Sequence, residues 1–299
     1  MNESTKKSGI ISVIGRTNVG KSTLINKILG QKIFITSRKP QTTRNRLIGI
    51  KTKDNSQAIF VDTPGIHQGE NRALNEYMNK VAFNAMLGVD ILLFVIEKLT
   101  WTSQDQEILD KLPQDIPNII LLINKIDQLA EKNSLLPFIK EVSSRYTFKE
   151  IIPISALKNK NLITLENLIF SNLPERDHDY PEDQSADVPE KFLVSELIRE
   201  KCITRLGDEI PYRLMVGIDS FEEKKGIIDI SSTLYIEKQS QKGILIGRKG
   251  EKLKNIGTAA RKDIEKLLGK KVMLRLWVKV KKDWTNNKIS LNAFGYSDE

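Results

Sequence analysis

Short, nearly continuous apolar runs punctuate the first half of the chain. IISVIG (10–15), AIFVD (58–62), DILLFVIE (90–97), PNIILLINK (117–125) and IIPIS (151–155) are rich in Ile, Val and Leu and bounded by turns. Strands of a parallel sheet covered on both faces read this way, because neither side of the strand meets water. Between them, segments such as 22–29 and 162–173 place apolar residues at helical spacing. The alternation predicts an α/β doubly wound sheet with helices on both faces, spanning residues 1–174. The pattern lapses in PERDHDYPEDQSADVPE, which has three prolines, seven acidic residues and little to bury. Residues 175–190 therefore read as an acidic linker. Beyond it the rhythm changes. A helix (192–206) and two strand-like runs (213–221 and 226–237) are followed by a glycine-rich loop, a helix (252–268) and the strand VMLRLWVKV. This order predicts a smaller α+β domain at 191–283. A tail with scattered aromatics, 284–299, closes the chain.

Length and charge sharpen this picture. A chain of 299 residues suits two domains. No apolar run approaches the ~20 residues that span a bilayer, and the N-terminus lacks the pattern of a secretory signal. The single cysteine, Cys202, forms no internal disulfide; this fits a cytoplasmic chain. Its phase with Val194, Leu197 and Ile198 predicts a packing role. Net charge is +9, but residues 238–282 hold 15 basic and three acidic residues. The rest of the chain is slightly acidic. So local a field points to a polyanion partner for the second domain alone.

The candidate chemistry begins at GRTNVGKS, Gly15–Ser22, which follows the strand IISVI and opens a helix. This is G-x-x-x-x-G-K-S in its confirming context. Gly15 and Gly20 allow the tight turn in which the N–H groups of Arg16, Thr17, Asn18 and Val19 converge on phosphate oxygens. Lys21 is expected to reach the β- and γ-phosphates, Ser22 to bind Mg²⁺, and Thr23 to continue the site at the helix start. NKID, Asn124–Asp127, ends the strand NIILLI. The Asp127 carboxylate pairs with N1–H and the 2-amino group of guanine, donors that adenine lacks, so GTP and GDP are favoured over ATP. Asn124 is expected to face the base edge and the phosphate loop, the Lys125 stem to lie along the base, and Ile126 to complete the segment. Ser155 and Ala156 occupy the position where a backbone N–H can meet guanine O6. DTPG, Asp62–Gly65, ends the strand AIFVD. Asp62 is expected to hold Mg²⁺ through water, with Thr63 and Pro64 carrying the chain to Gly65, whose N–H senses the γ-phosphate. Thr42 and Thr43 in KPQTTRNR are both candidate Mg²⁺ ligands, and Thr43 is favoured. Lys21, Thr43 and Gly65 form the expected catalytic set. A glutamine that would orient water is missing, because Ile66 occupies its place. His67 follows, and an exposed loop histidine is the favoured reading of it. A P-loop kinase is disfavoured by Asp127.

A second glycine loop, GILIGRKGEKLKNIG, contains Gly247, Arg248, Lys249 and Gly250 as G-x-x-G. It offers no Lys-Ser ending and so no hydroxyl for a metal. It fits a KH loop between two helices, where the glycines admit a nucleic-acid backbone and the basic pair meets phosphates. The order α-β-β-α-α-β is the type II KH arrangement. Ile244, Leu245 and Ile246 are read as flanking a groove for unstacked bases, and Lys252, Lys254, Arg261 and Lys262 as phosphate contacts. Single-stranded RNA is the expected ligand.

In order, GRTNVGKS, PQTTR, DTPG, NKID and SAL resemble the five G-motifs of translation-factor-class GTPases. With the C-terminal module, and with VSELIREK, DEIPY and LWVKVK, nearly the full chain resembles the Era family of bacterial GTPases that bind small-subunit ribosomal RNA. The resemblance implies slow GTP hydrolysis coupled to binding of the 3′ end of 16S rRNA, a role in 30S subunit assembly, and a link to cell growth. It also implies a monomer that is cytoplasmic with peripheral association at the inner membrane, although no lipidation motif supports that association. A hydrophobic residue at Ile66 is typical of the subgroup. Related GTPases with asparagine at the Asn18 position bind K⁺ beside the phosphates, which makes Asn18 a candidate K⁺ ligand. An RNA-binding assembly module with incidental hydrolysis, and a membrane-associated regulatory GTPase, are the competing readings.

Overall fold

The computed structural model describes residues 5–37, 39, 42–66, 73–113, 116–206, 213–224, 226–294 and 296. His67 and the DEIPY segment lie outside the described residues. The chain forms two compact units. The first is built on a six-stranded sheet of order β2-β3-β1-β4-β5-β6. Its strands are β1 (Lys7–Ile14), β2 (Leu47–Lys53), β3 (Ser56–Asp62), β4 (Ile91–Glu97), β5 (Ile119–Asn124) and β6 (Glu150–Pro153). All pairings are parallel except β2 with β3. Every residue of β5, and all of β4 but its last, is buried, as the continuous apolar runs predict for strands covered on both faces.

Helices α1 (Lys21–Leu29), α2 (Ala73–Asn84), α3 (Ser103–Asp110), α4 (Leu135–Ser143) and α5 (Leu162–Ser171) complete the sequence of elements. After β1 the chain continues to β3 on one side, and β4 lies on the other. This reversal of direction opens a crevice at the carboxyl ends of the strands, where ligands of such sheets bind. The turn after β1 is the GRTNVGKS loop.

The acidic stretch read as a linker is pinned along this first unit by main-chain bonds. Ser8 N–H donates to the Pro174 carbonyl at 3.1 Å, Ile50 N–H to Ser185 at 2.9 Å, and Asp187 N–H to Ile48 at 3.2 Å. Gln57 and Tyr180 exchange side-chain-to-backbone bonds of 2.8 and 3.0 Å. The first unit accordingly runs to Asp187.

The second unit contains α6 (Glu190–Arg205), β7 (Met215–Lys224), β8 (Ile227–Ile236), α7 (Gln239–Ile246), α8 (Glu251–Leu268), β9 (Lys271–Val280) and α9 (Lys288–Ala293). Its sheet has the order β7-β8-β9, with β8 antiparallel to β7 and parallel to β9. Apolar stripes are buried on two helices, Val194, Leu197, Ile198 and Cys202 on α6 and Ile256, Ala260 and Ile264 on α8, and α6 also buries Ser195, Arg199, Glu200 and Ile203. These spacings of three and four residues put the apolar side chains on one face. The described residues of Ile35–Thr42 and Asn71–Tyr77 also belong to this unit. The tail is packed. Trp284 is fully buried, its Nε1 donates to the Arg213 carbonyl at 3.2 Å, and it sits against Phe294 and Tyr296.

Candidate active site and nucleic-acid interface

Gly15 and Gly20 take φ of 143° and 105°, a region that L side chains rarely adopt. A Cβ at Gly15 would stand 2.3 Å from the Val95 carbonyl oxygen, and one at Gly20 would stand 2.4 Å from Asn124 Nδ2. The loop thus lies directly against the ends of β4 and β5. Lys21 folds back into it, and its Nζ donates to the carbonyls of Gly15 at 3.1 Å and Arg16 at 3.0 Å. Burial lowers the Lys21 pKa to about 8, against the opposing pull of Asp62.

Three oxygen-bearing residues converge beside Lys21. Ser22 Oγ donates to Asp62 Oδ2 at 2.7 Å and lies 3.0 Å from Thr43 Oγ1, which is itself 3.2 Å from Asp62 Oδ2. Asp62 is fully buried, and among the described residues its Oδ1 has no hydrogen-bond partner. Burial pushes its pKa up to about 6, countered by the bonds from Ser22 and Thr43 and by Lys21. A buried carboxylate with a spare oxygen next to two hydroxyls fits a hard divalent cation such as Mg²⁺. Of the two threonines, Thr43 stands in this group, whereas Thr42 Oγ1 donates to the Lys39 carbonyl at 2.6 Å. Thr63 points away and bonds the Val13 carbonyl at 2.8 Å. Gly65 approaches the phosphate loop so closely that a Cβ would meet Thr17 N at 2.8 Å. Ile66 pairs as an isolated bridge with Arg16. Asn18 is exposed, with φ of 65°.

Asn124 ties the base-selecting segment to the phosphate loop. Its Nδ2 donates to the Val19 carbonyl at 2.7 Å, and its Oδ1 accepts from the N–H groups of Lys125 and Ala156 at 2.8 and 3.0 Å. Ser155 Oγ donates to Asp127 Oδ1. The backbone N–H groups at the position expected to meet guanine O6 have partners within the chain. Ser155 N–H donates to the Lys160 carbonyl, and Ala156 N–H is taken by Asn124. An O6 contact from Ala156 would share or replace the Asn124 bond. Ile126 is partly buried against the sheet core, so its side chain serves packing. Two residues escaped the sequence reading. Glu97 accepts from Lys125 Nζ at 2.8 Å, and Asp105 accepts from Arg16 Nε at 2.8 Å. A capping pattern, Thr102 with Asp105, was the only signal for the second, and the first had none.

In the second unit the G-x-x-G turn closes α7 and opens α8. Gly247, Lys249 and Gly250 have φ of 74°, 49° and 79°. Arg248 and Lys249 are exposed, and Ile244 is 48 % exposed beside them. Leu245 does not flank a groove: it is fully buried in the core with Ile256 and Ile264. Lys252 and Lys254 lie in the first turn of α8, next to the glycines. Arg261 and Lys262 are exposed further along the same helix, about 15 Å on at 1.5 Å per residue. Cys202 is buried, and burial pushes its thiol up to about 12. Among the described residues no group of His, Cys, Asp and Glu could hold a metal, and no helix is long and apolar enough to cross a membrane.

A phosphate loop at the switch point of a parallel sheet, with NKID at the end of β5, defines a P-loop GTPase, here joined to a unit of KH topology. A 50S ribosome-binding GTPase family matches residues 10–125, and a KH domain family matches residues 209–285. GTPase Era of Marinobacter nauticus is 49 % identical over 292 residues, covering 98 % of this chain and 96 % of its own. GTPase Era of Pseudomonas syringae pv. tomato is 46 % identical over 299 residues, with full coverage of both chains. The chain belongs to the GTPase Era family. Among solved structures, Era in complex with MgGDPNP and nucleotides 1506–1542 of 16S ribosomal RNA is similar with a TM-score of 0.94. It is 37 % identical and covers 98 % of this chain and 99 % of its own. A variant of Aquifex aeolicus Era bound to GDP·AlF4⁻ gives the same TM-score and identity, with 97 % of this chain and 99 % of its own covered.

Proposed function

We propose that this GTPase binds the 3′ end of small-subunit ribosomal RNA through its G-x-x-G turn and acts in assembly of the small ribosomal subunit. The observation that carries the reading is the turn itself. Three residues at positive φ, Gly247, Lys249 and Gly250, form it, and Arg248 and Lys249 stand exposed on it. Glycine at these positions lets a nucleic-acid backbone approach, and the exposed cations meet its phosphates. Support comes from the similar Era structure that holds a 16S RNA segment. The chain acts as a cytoplasmic monomer in this role.

The nucleotide half of the reading uses Ser22, Thr43 and Asp62 to hold Mg²⁺, and Asn18 to hold K⁺. When bound, Mg²⁺ neutralises charge on the β- and γ-phosphates. Lys21 exchanges the carbonyls of Gly15 and Arg16 for phosphate oxygens, a swap that restores a charged partner to a buried ammonium. Asp127 selects guanine. Ile66 has no group that polarises water, so turnover depends on positioning and charge, and slow hydrolysis follows.

Gly247→Asp with Gly250→Asp tests the RNA reading. Binding of an RNA carrying the 3′-terminal segment of small-subunit rRNA should be lost, while GDP affinity stays within about threefold (about 0.7 kcal/mol). Loss of both would signal an unfolded chain and no specific role for the turn. Phosphatidylserine vesicles supply the competing polyanion. Tighter binding to them than to the RNA would favour peripheral membrane attachment of the basic face.

A further inference from the structure

Arg16 lies second in the phosphate loop, and two features of the nucleotide site meet on its backbone. Its carbonyl accepts from Lys21 Nζ at 3.0 Å, and its main chain bridges Ile66, the residue after Gly65. Whatever fixes Arg16 therefore fixes the resting place of the phosphate-binding lysine and the start of the segment that senses the γ-phosphate.

Asp105 fixes it. The Asp105 side chain is fully buried, and each oxygen has a defined duty. Oδ1 accepts from Arg16 Nε at 2.8 Å. Oδ2 accepts from Thr102 N–H at 2.9 Å and Thr102 Oγ1 at 2.8 Å, which closes the capping box of α3. The platform under it is packed. Ile108 and Leu109 of α3 are buried in the sheet core. Trp101, one residue before the cap, packs edge-on against Phe94 of β4 and donates to Gln106 at 3.0 Å. A cap alone requires only one oxygen of an aspartate at this position. The second oxygen is committed to a loop 89 residues away. A buried carboxylate that lost this cation would be left short of a charged partner, so the pair is held together by the cost of separating it.

We propose that Asp105 is a positioning residue for GTP hydrolysis, acting through Arg16 to hold Lys21 and Ile66 in register with the phosphates. The inference rests on the chain being a GTPase that uses this loop. Small misplacements of positioning groups lower turnover strongly, whereas GDP lacks the γ-phosphate and keeps its contacts with the base and the other loop amides, so its affinity falls less than turnover even though Lys21 also reaches the β-phosphate.

The test is a double-mutant cycle with a capping control, run on the full chain with GTP turnover, GDP affinity and thermal unfolding measured together. Asp105→Ala and Arg16→Ala should each lower kcat about tenfold (about 1.4 kcal/mol), and the double variant should be no worse than either, because both break one link. GDP affinity should move less than about threefold (about 0.7 kcal/mol). Thr102→Ala weakens the same helix cap but leaves the Asp105–Arg16 bond, so it should lower Tm and spare kcat. If Asp105→Ala does not fold, Asp105→Asn keeps the side chain's size and removes its charge. An equal fall in kcat for Thr102→Ala, additive losses in the double variant, or unchanged turnover would each overturn the proposal. A wild-type chain without GTP turnover would instead overturn the GTPase reading beneath it.

Discussion

Ser22 Oγ donates to Asp62 Oδ2 at 2.7 Å, while the other oxygen of that carboxylate, equally buried, meets no partner among the described residues. Burial has pushed Asp62 up to about 6, and the Ser22 bond only partly offsets it. An ordinary aspartate titrates near 3.9. The native state therefore holds the proton more tightly than the unfolded chain between pH ~4 and ~6, and stability falls as pH rises through that window. Above pH ~6 the full cost applies, on the order of 3 kcal/mol. Asp62→Asn removes it. The nucleotide-free, metal-free variant should be more stable than wild type at pH 7 by roughly 2–3 kcal/mol, and the difference should shrink toward pH 4. Urea unfolding at the two pH values measures this. A variant less stable at pH 7 would show that the carboxylate is already compensated. With Mg²⁺ and GDP present the order should reverse, because only the carboxylate repays the cation.

Asn18 separates two explanations by a single substitution. Its φ of 65° suits asparagine for backbone reasons alone, and its side chain is exposed at the phosphate loop. If its only task is the turn, Asn18→Gly is silent. If its carbonyl oxygen helps hold K⁺, GTP turnover in KCl should exceed that in NaCl at equal ionic strength, and Asn18→Gly should abolish the difference without lowering Tm. A cation worth about 1 kcal/mol at the transition state gives roughly a fivefold rate. Equal rates of the wild type in the two salts would remove K⁺ from the mechanism.

The G-motifs were legible because phosphate and guanine impose their own spacing on any chain that binds them. GRTNVGKS, DTPG and NKID land at strand ends, where the sheet needs turns, so local pattern and chemistry agree. The α-β-β-α-α-β order of the second unit was legible from periodicity, because its helices and strands bury apolar faces. Contacts between distant polar residues were not. Asp105 reads as a capping acid, and nothing in its neighbourhood announces Arg16. Residues 175–190 read as a linker because they bury little apolar surface, yet the stretch as far as Asp187 is anchored. What anchors them is main-chain bonding to Ser8, Ile48 and Ile50, and a backbone hydrogen bond leaves no mark on residue type. Leu245 sits between exposed Ile244 and half-buried Ile246, and a one-residue step on a helix decides between core and groove.

The two glycines of the second loop differ in a way that stability can read. Gly250 (φ 79°, ψ 6°) takes an ordinary left-handed turn, and a Cβ there meets nothing within 4 Å among the described residues. Gly247 (φ 74°, ψ −180°) takes a conformation open essentially only to glycine, and a Cβ would press on Lys252 Cβ at 2.7 Å. Alanine at Gly250 should therefore cost about 1 kcal/mol, the left-handed penalty for an L-residue. Alanine at Gly247 should cost about 2–3 kcal/mol, since strain of that backbone class is joined by the clash. Urea unfolding of the two variants, read in the KH unit through Trp284 fluorescence, measures the gap. Equal costs would mean that the turn rebuilds around Lys252. The ranking also bears on RNA: Gly250→Ala adds one methyl at an open position, so weakened RNA binding by a folded Gly250→Ala variant would report how closely the nucleic-acid backbone approaches the turn.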